Sequence, residues 1–173
     1  MQEKKAQLIA IVGAAGVVDD PQIDESFLPD HDARLSVQPH FLVRPGNVGE
    51  VQEIVQWANQ TLTPLVPLSS GGPHLRGDSL PTAPESVIVD LSGMKRILKI
   101  NRRNRLALIE PGVTYSQFLP ELQKEGLRMV MPLLPRANKS VCHRPINLVS
   151  CPRPDSRFSP IQTPRPTVGE LHL

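Results

Sequence analysis

Apolar residues along this chain alternate between two arrangements, short unbroken runs and helical stripes, and the alternation predicts its elements. Glu3 to about Ala14 reads as a first helix, ended by Gly13 and Gly16. Phe41-Leu42-Val43 is a short apolar run stopped by Pro45. Asn47-Val48-Gly49-Glu50 then has the form of a capping box, in which the Asn47 side chain accepts from the Glu50 N–H. Val48, Val51, Ile54, Val55 and Ala58 follow at helical spacing and predict one apolar stripe.

Leu65 to Leu68 is a second run, and Pro64 and Pro67 confine it to a strand with a free edge or a bulge. Val87-Ile88-Val89 predicts a third strand, followed by a turn from Asp90 to Gly93. Ile97–Ile100 and Leu106–Ile109, separated by Asn101 to Asn104, predict a hairpin with a longer loop. Thr114 opens a helix with Gln117 at its third position, and Gly126 is the expected C-cap. Met129-Val130-Met131 is the expected last strand. Strands and helices mixed at these lengths predict an α+β domain with a small mixed sheet and flanking helices.

Composition changes the picture mainly through proline. The 173 residues include 19 prolines, about twice the usual share of ~5%. Six of them, at 145, 152, 154, 160, 164 and 166, lie in the last stretch, which carries no sustained periodicity. Three regions are expected: 1–40, a helix and acidic connector; 41–135, the α+β domain; and 136–173, an irregular Pro-rich tail without the apolar content to order itself.

Charge and cysteine content exclude several classes. With 19 Lys+Arg against 17 Asp+Glu, the net charge of +2 is not that of a protein built to neutralise phosphates along nucleic acid. Cys142 and Cys151 are the only cysteines, too few for a disulfide scaffold or a four-cysteine zinc site. Cys142, His143 and Cys151 make no convincing metal set, and the acidic residues from 19 to 32 lack calcium-loop spacing. The apolar run Leu8–Val18 falls short of the ~20 residues of a spanning helix, although Lys4 and Lys5 before it give it some likeness to a signal peptide. A cytoplasmic protein without a membrane span is expected. Lys95, Arg96, Lys99, Arg102, Arg103 and Arg105 form a basic cluster without interleaved aromatics, the pattern of a solvated hairpin face.

The stretch richest in chemistry is Pro67-Leu68-Ser69-Ser70-Gly71-Gly72-Pro73-His74-Leu75-Arg76-Gly77. Consecutive glycines let backbone N–H groups turn inward as an anion-binding concavity and let a pyrophosphate approach closely. Ser69 and Ser70 offer hydroxyls, and Arg76 offers charge. Taken alone, the loop also fits an ordinary surface turn. It matches neither the Walker loop nor the dinucleotide Gly-x-Gly-x-x-Gly fingerprint.

Five motifs in order resemble the FAD-binding domain of the vanillyl-alcohol oxidase and p-cresol methylhydroxylase family. The likeness is strongest to the FAD-linked oxidase branch with D-lactate dehydrogenase and the glycolate oxidase flavin subunit. The motifs are Val43-Arg44-Pro45 with the helix Glu50 to Asn59, the loop Ser69 to Gly77, Val87 to Ile97, Glu110-Pro111-Gly112-Val113-Thr114, and Gly126-Leu127. They cover about residues 40–131.

The resemblance implies the N-terminal subdomain of a PCMH-type FAD-binding domain. Ser69, Ser70, Gly71, Gly72, Pro73, His74, Leu75, Arg76 and Gly77 would wrap the FAD pyrophosphate. Pro67, Pro111, Gly112 and Val113 would lie beside the cofactor. It further implies an FAD-dependent oxidoreductase acting on a small 2-hydroxy acid. Pro73 departs from the family pattern by removing one N–H donor. His74 stands one place later than the histidine some relatives link to flavin, so hydrogen bonding or packing is its expected role. The family's second Gly-rich segment and substrate cap have no counterpart after residue 131, and no catalytic acid or base is assigned. Two other readings stay open: a truncated, non-enzymatic fragment that needs a partner chain for the missing half of the cleft, and a nucleotide-phosphate binding module.

Overall fold

A computed structural model describes residues 2–19, 39–70, 83–129 and 137–142. The chain divides into two units, residues 1–94 and 95–173.

Among its described residues the first unit is a four-stranded sheet with two helices. Helix α1 spans Gln2–Val12, a 3-10 turn follows at Ala14–Gly16, and β1 is Val17–Asp19. Then come β2 (Phe41–Val43), α2 (Val48–Thr61), β3 (Leu65–Leu68) and β4 (Val87–Asp90). The strand order is β1-β2-β4-β3. β2, β4 and β3 run parallel, and β1 is antiparallel to β2. Strand β1 has no counterpart in the sequence expectation, since Val17-Val18-Asp19 is too short to show a period.

β2 and β4 are buried along their whole length, as unbroken apolar runs in a parallel sheet must be. Alternate residues feed two cores. Phe41, Val43, Val87 and Val89 meet Leu8 of α1 and Ile54, Trp57 and Ala58 of α2. Leu42, Leu68 and Ile88 pack on the opposite face. Strand β3, with Pro67 inside it, lies at the sheet edge, where a missing N–H costs nothing. The Trp57 indole N–H donates to Gln7 at 2.7 Å and joins the two helices.

The buried stripe of α2 is rotated from the expected one. Ile54, Trp57 and Ala58 are buried, whereas Val48 is 54% and Val55 45% exposed. Trp57 has the largest apolar surface on the helix, and burying it turns Val55 outward. The Asn47 cap forms as expected, its side chain accepting from the Glu50 N–H at 3.1 Å.

The second unit is the hairpin β5 (Ile97–Asn101) and β6 (Leu106–Ile109) with helix α3 (Tyr115–Lys124). Val113, Tyr115, Phe118, Leu122, Leu127 and Val141 form its core, with Ile97, Ile100 and Ile109 against them. Gly126 has φ 66°, the left-handed conformation that ends α3. Met129 lies in no strand, which corrects the expected last strand at that residue; Val130 and Met131 lie outside the described residues.

Residues 137–142, expected within an irregular tail, pack into this unit. Ser140 bridges antiparallel to Thr114, and Val141 is 8% exposed. The Tyr115 N–H donates to Lys139 O at 3.1 Å and the Ser116 N–H to Ala137 O at 3.0 Å. Two N–H groups that a helix leaves without intrahelical partners are thereby satisfied by this segment.

Candidate functional site

In the first unit the described candidate residues, Pro67, Ser69 and Ser70, lie at the carboxyl end of β3, on the side of the sheet where open α/β sheets bind ligands. Three segments leave the sheet there: Arg44-Pro45 after β2, Ser69-Ser70 after β3, and Leu91-Ser92 after β4. Asp90, the last residue of β4, is 5% exposed, and its carboxylate ties two of them together. One carboxylate oxygen accepts from Arg44 Nε at 3.2 Å, and the other accepts from the Ser92 N–H at 3.0 Å. The Leu91 N–H donates to Leu68 O at 2.7 Å, which ties the start of the Gly-rich stretch to β4. A buried carboxylate needs partners, and the two it has belong to different exits from the sheet.

Among the sequence-predicted residues of this unit, Pro67 is exposed on the edge strand, in register with Val89. Ser69 is half-buried and Ser70 buried. Gly71, Gly72, Pro73, His74, Leu75, Arg76 and Gly77 lie outside the described residues.

Pro111, Gly112 and Val113 belong to the second unit, in the turn after β6. Gly112 and Val113 are buried. The turn is held at both ends. On one side the Glu110 carboxylate accepts from the Arg96 N–H and from Arg96 Nε, both at 2.7 Å. These bonds hold the Glu110 carboxyl below the usual carboxylate range, the Arg96 side chain contributing most and its backbone N–H next. On the other side the Ser140 hydroxyl donates to Pro111 O, and the Val141 N–H donates to Val113 O at 2.9 Å. Ser140 is fully buried. The Ser140 contacts were not foreseen, because nothing local in a proline-rich stretch announces a partner some thirty residues upstream.

The described residues hold no cluster of His, Cys, Asp or Glu able to bind a metal ion. Burial pushes the Cys142 thiol above its ordinary range.

A parallel strand that ends in two serines and leads into a Gly-rich stretch suits a nucleotide phosphate. A family model described as an FAD binding domain matches residues 39–137, more than half of the chain. The chain belongs to this FAD-binding family. Its relatives are FAD-linked oxidoreductases, and FAD is the cofactor the family binds. D-2-hydroxyglutarate dehydrogenase of Stutzerimonas stutzeri is 30% identical over 121 residues, covering 70% of this chain and 26% of that protein. The flavoprotein subunit of 4-cresol dehydrogenase (hydroxylating) of Pseudomonas putida is 32% identical over 93 residues, covering 54% of this chain and 18% of that protein. The chain thus spans about a fifth to a quarter of the length of these curated relatives. Among solved structures, 4-ethylphenol oxidase from Gulosibacter chungangensis superposes with a TM-score of 0.66 at 24% identity, covering 84% of this chain and 28% of that one. That likeness establishes the fold as the FAD-binding type, in agreement with the α+β architecture expected from the sequence.

Proposed function

We propose that this chain supplies the pyrophosphate-binding part of the FAD site in an oxidoreductase whose substrate is a small 2-hydroxy acid. The observation that carries the reading is the set of ties at the base of the Gly-rich stretch: the buried Asp90 carboxylate joins the exits after β2 and β4, and the Leu91 N–H bonds to Leu68 at the end of β3. Such a rigid base suits backbone N–H groups that must converge on a phosphate without reorganising. In this reading Ser69, Ser70 and Gly71 to Gly77 hold the pyrophosphate, Pro67 lies beside the cofactor, and Pro111, Gly112 and Val113 present a fixed backbone turn to it. FAD, when bound, supplies the two-electron redox chemistry, while the protein binds and orients it. The 2-hydroxy acid is supported by the dehydrogenase relative that matches 70% of this chain. A 4-alkylphenol is the competing substrate class, supported by the 4-cresol dehydrogenase relative.

The test is FAD binding by the purified chain, read from the visible spectrum after desalting and from fluorescence titration. Retained flavin that is lost in Gly71→Val/Gly72→Val supports the assignment. Loss of binding in a folded wild-type chain rejects it as a self-sufficient site and points to a partner chain for the other half of the cleft. Where flavin is retained, anaerobic bleaching by D-2-hydroxyglutarate but not by 4-cresol supports the hydroxy-acid reading, and the reverse overturns it.

A further inference from the structure

The β5–β6 hairpin half-buries its three isoleucines and leaves the leucines of the other face bare. Register pairs Ile97 with Ile109 and Ile100 with Ala107, and the three isoleucines pack on the α3 core. The intervening pairs, Lys99 with Leu108 and Asn101 with Leu106, lie on the opposite face. Leu106 and Leu108 are 64% and 60% exposed, and Leu98, at the bulge, is 51% exposed. A solvated strand face ordinarily carries polar side chains at such positions.

The charge on the hairpin itself is of one sign. From Lys95 to Ile109 the chain has six Lys and Arg and no Asp or Glu. Glu110 pairs with Arg96, its Oε1 lying 2.6 Å from the guanidinium. Lys95, Lys99, Arg102 and Arg103 are exposed.

Three kinds of occupant can be compared. A second copy of the chain would bring two like-charged clusters together across the leucines. A nucleic acid would meet the cations but leave the leucines in water, and the hairpin has no aromatic ring for a base to stack on. An anionic bilayer uses both features: leucines enter the acyl boundary while Lys and Arg stay at the headgroups. We propose that the outward face of the β5–β6 hairpin docks this chain on an anionic membrane surface. The attachment is peripheral, in keeping with the absence among the described residues of any helix long and apolar enough to cross a membrane.

The experiment is co-sedimentation of the full chain with phosphatidylserine–phosphatidylcholine vesicles and with phosphatidylcholine vesicles alone. Binding is expected on the anionic vesicles, weakening with salt. Leu106→Ser/Leu108→Ser removes the inserting side chains, and Lys99→Gln/Arg103→Gln removes two cations. Each pair is expected to weaken binding about 30-fold. All four positions are exposed, so circular dichroism should stay unchanged in both variants. Leu106→Trp adds a positive readout, a blue shift of emission on anionic vesicles, against the buried Trp57. Equal binding to both vesicle types, or binding unaffected by the leucine pair, overturns the proposal. So does binding to an oligonucleotide without binding to vesicles, or a dimer that the leucine variant dissolves and vesicles do not displace.

Discussion

Asp90 is the residue on which the first unit's strand exits depend. It is buried, charged and hydrogen-bonded to Arg44 and the Ser92 N–H. Asp90→Ala should cost about 1–3 kcal/mol, because it leaves a backbone donor and a guanidinium without their acceptor. Urea unfolding checks the stability, and FAD titration should show weaker binding from a loosened loop base. Glu110 plays the matching part in the second unit, and its effect depends on pH. Its folded-state pKa is depressed below the ordinary 4.5 by Arg96. The unfolded chain therefore takes up a proton first, and the stabilisation is full above about pH 4.5 and lost as pH falls through the folded value. Glu110→Gln should flatten the acid limb of a stability–pH profile relative to wild type. An unchanged acid limb would mean that the Arg96 pair does not persist in solution.

At the level of elements, α2 shows where periodicity alone misleads. The expected stripe of Val48, Val51, Ile54, Val55 and Ala58 fits helical spacing as well as the observed one of Ile54, Trp57 and Ala58. What separates them is the sheet beneath, which takes the bulky indole. Ile54→Ala should therefore destabilise by about 2–4 kcal/mol, and Val55→Ala by less than about 0.5 kcal/mol. Equal effects in thermal melts would restore the other stripe. Capping was more legible, because Asn47 and Glu50 are near neighbours and Gly126 answers a purely local need for positive φ. Gly126→Ala should cost about 1 kcal/mol for the same reason.

For the whole molecule, the segment 137–142 decides whether the second unit is complete. It contributes Val141 to the core, supplies carbonyls to the first turn of α3, and fixes Pro111 through Ser140. Ser140→Ala should lose about 1–3 kcal/mol, since both the Pro111 carbonyl and the Cys142 N–H lose a partner. If the candidate turn at Pro111–Val113 contributes to FAD binding, this variant also weakens the ligand-induced rise in melting temperature. In wild type, FAD at a hundred times its Kd should stabilise the chain by about 2.7 kcal/mol. An absent shift in a cooperatively folded chain counts against a self-sufficient site.

Local physics was readable from the residues themselves. Unbroken apolar runs marked strands, Pro64 and Pro67 marked a free edge or a bulge, Asn47 and Gly126 marked helix ends, and the ordered motifs pointed to an FAD-binding domain. Each depends on neighbours a few residues away, so the chain carries it wherever it folds. Tertiary structure alone decided the rotation of α2, the addition of β1 to the sheet, the docking of 137–142 on α3, and the link that Asp90 makes between the exits of β2 and β4. These arise from contacts between residues distant in the chain, whose free energy comes from burial and partnering that no short window of sequence contains.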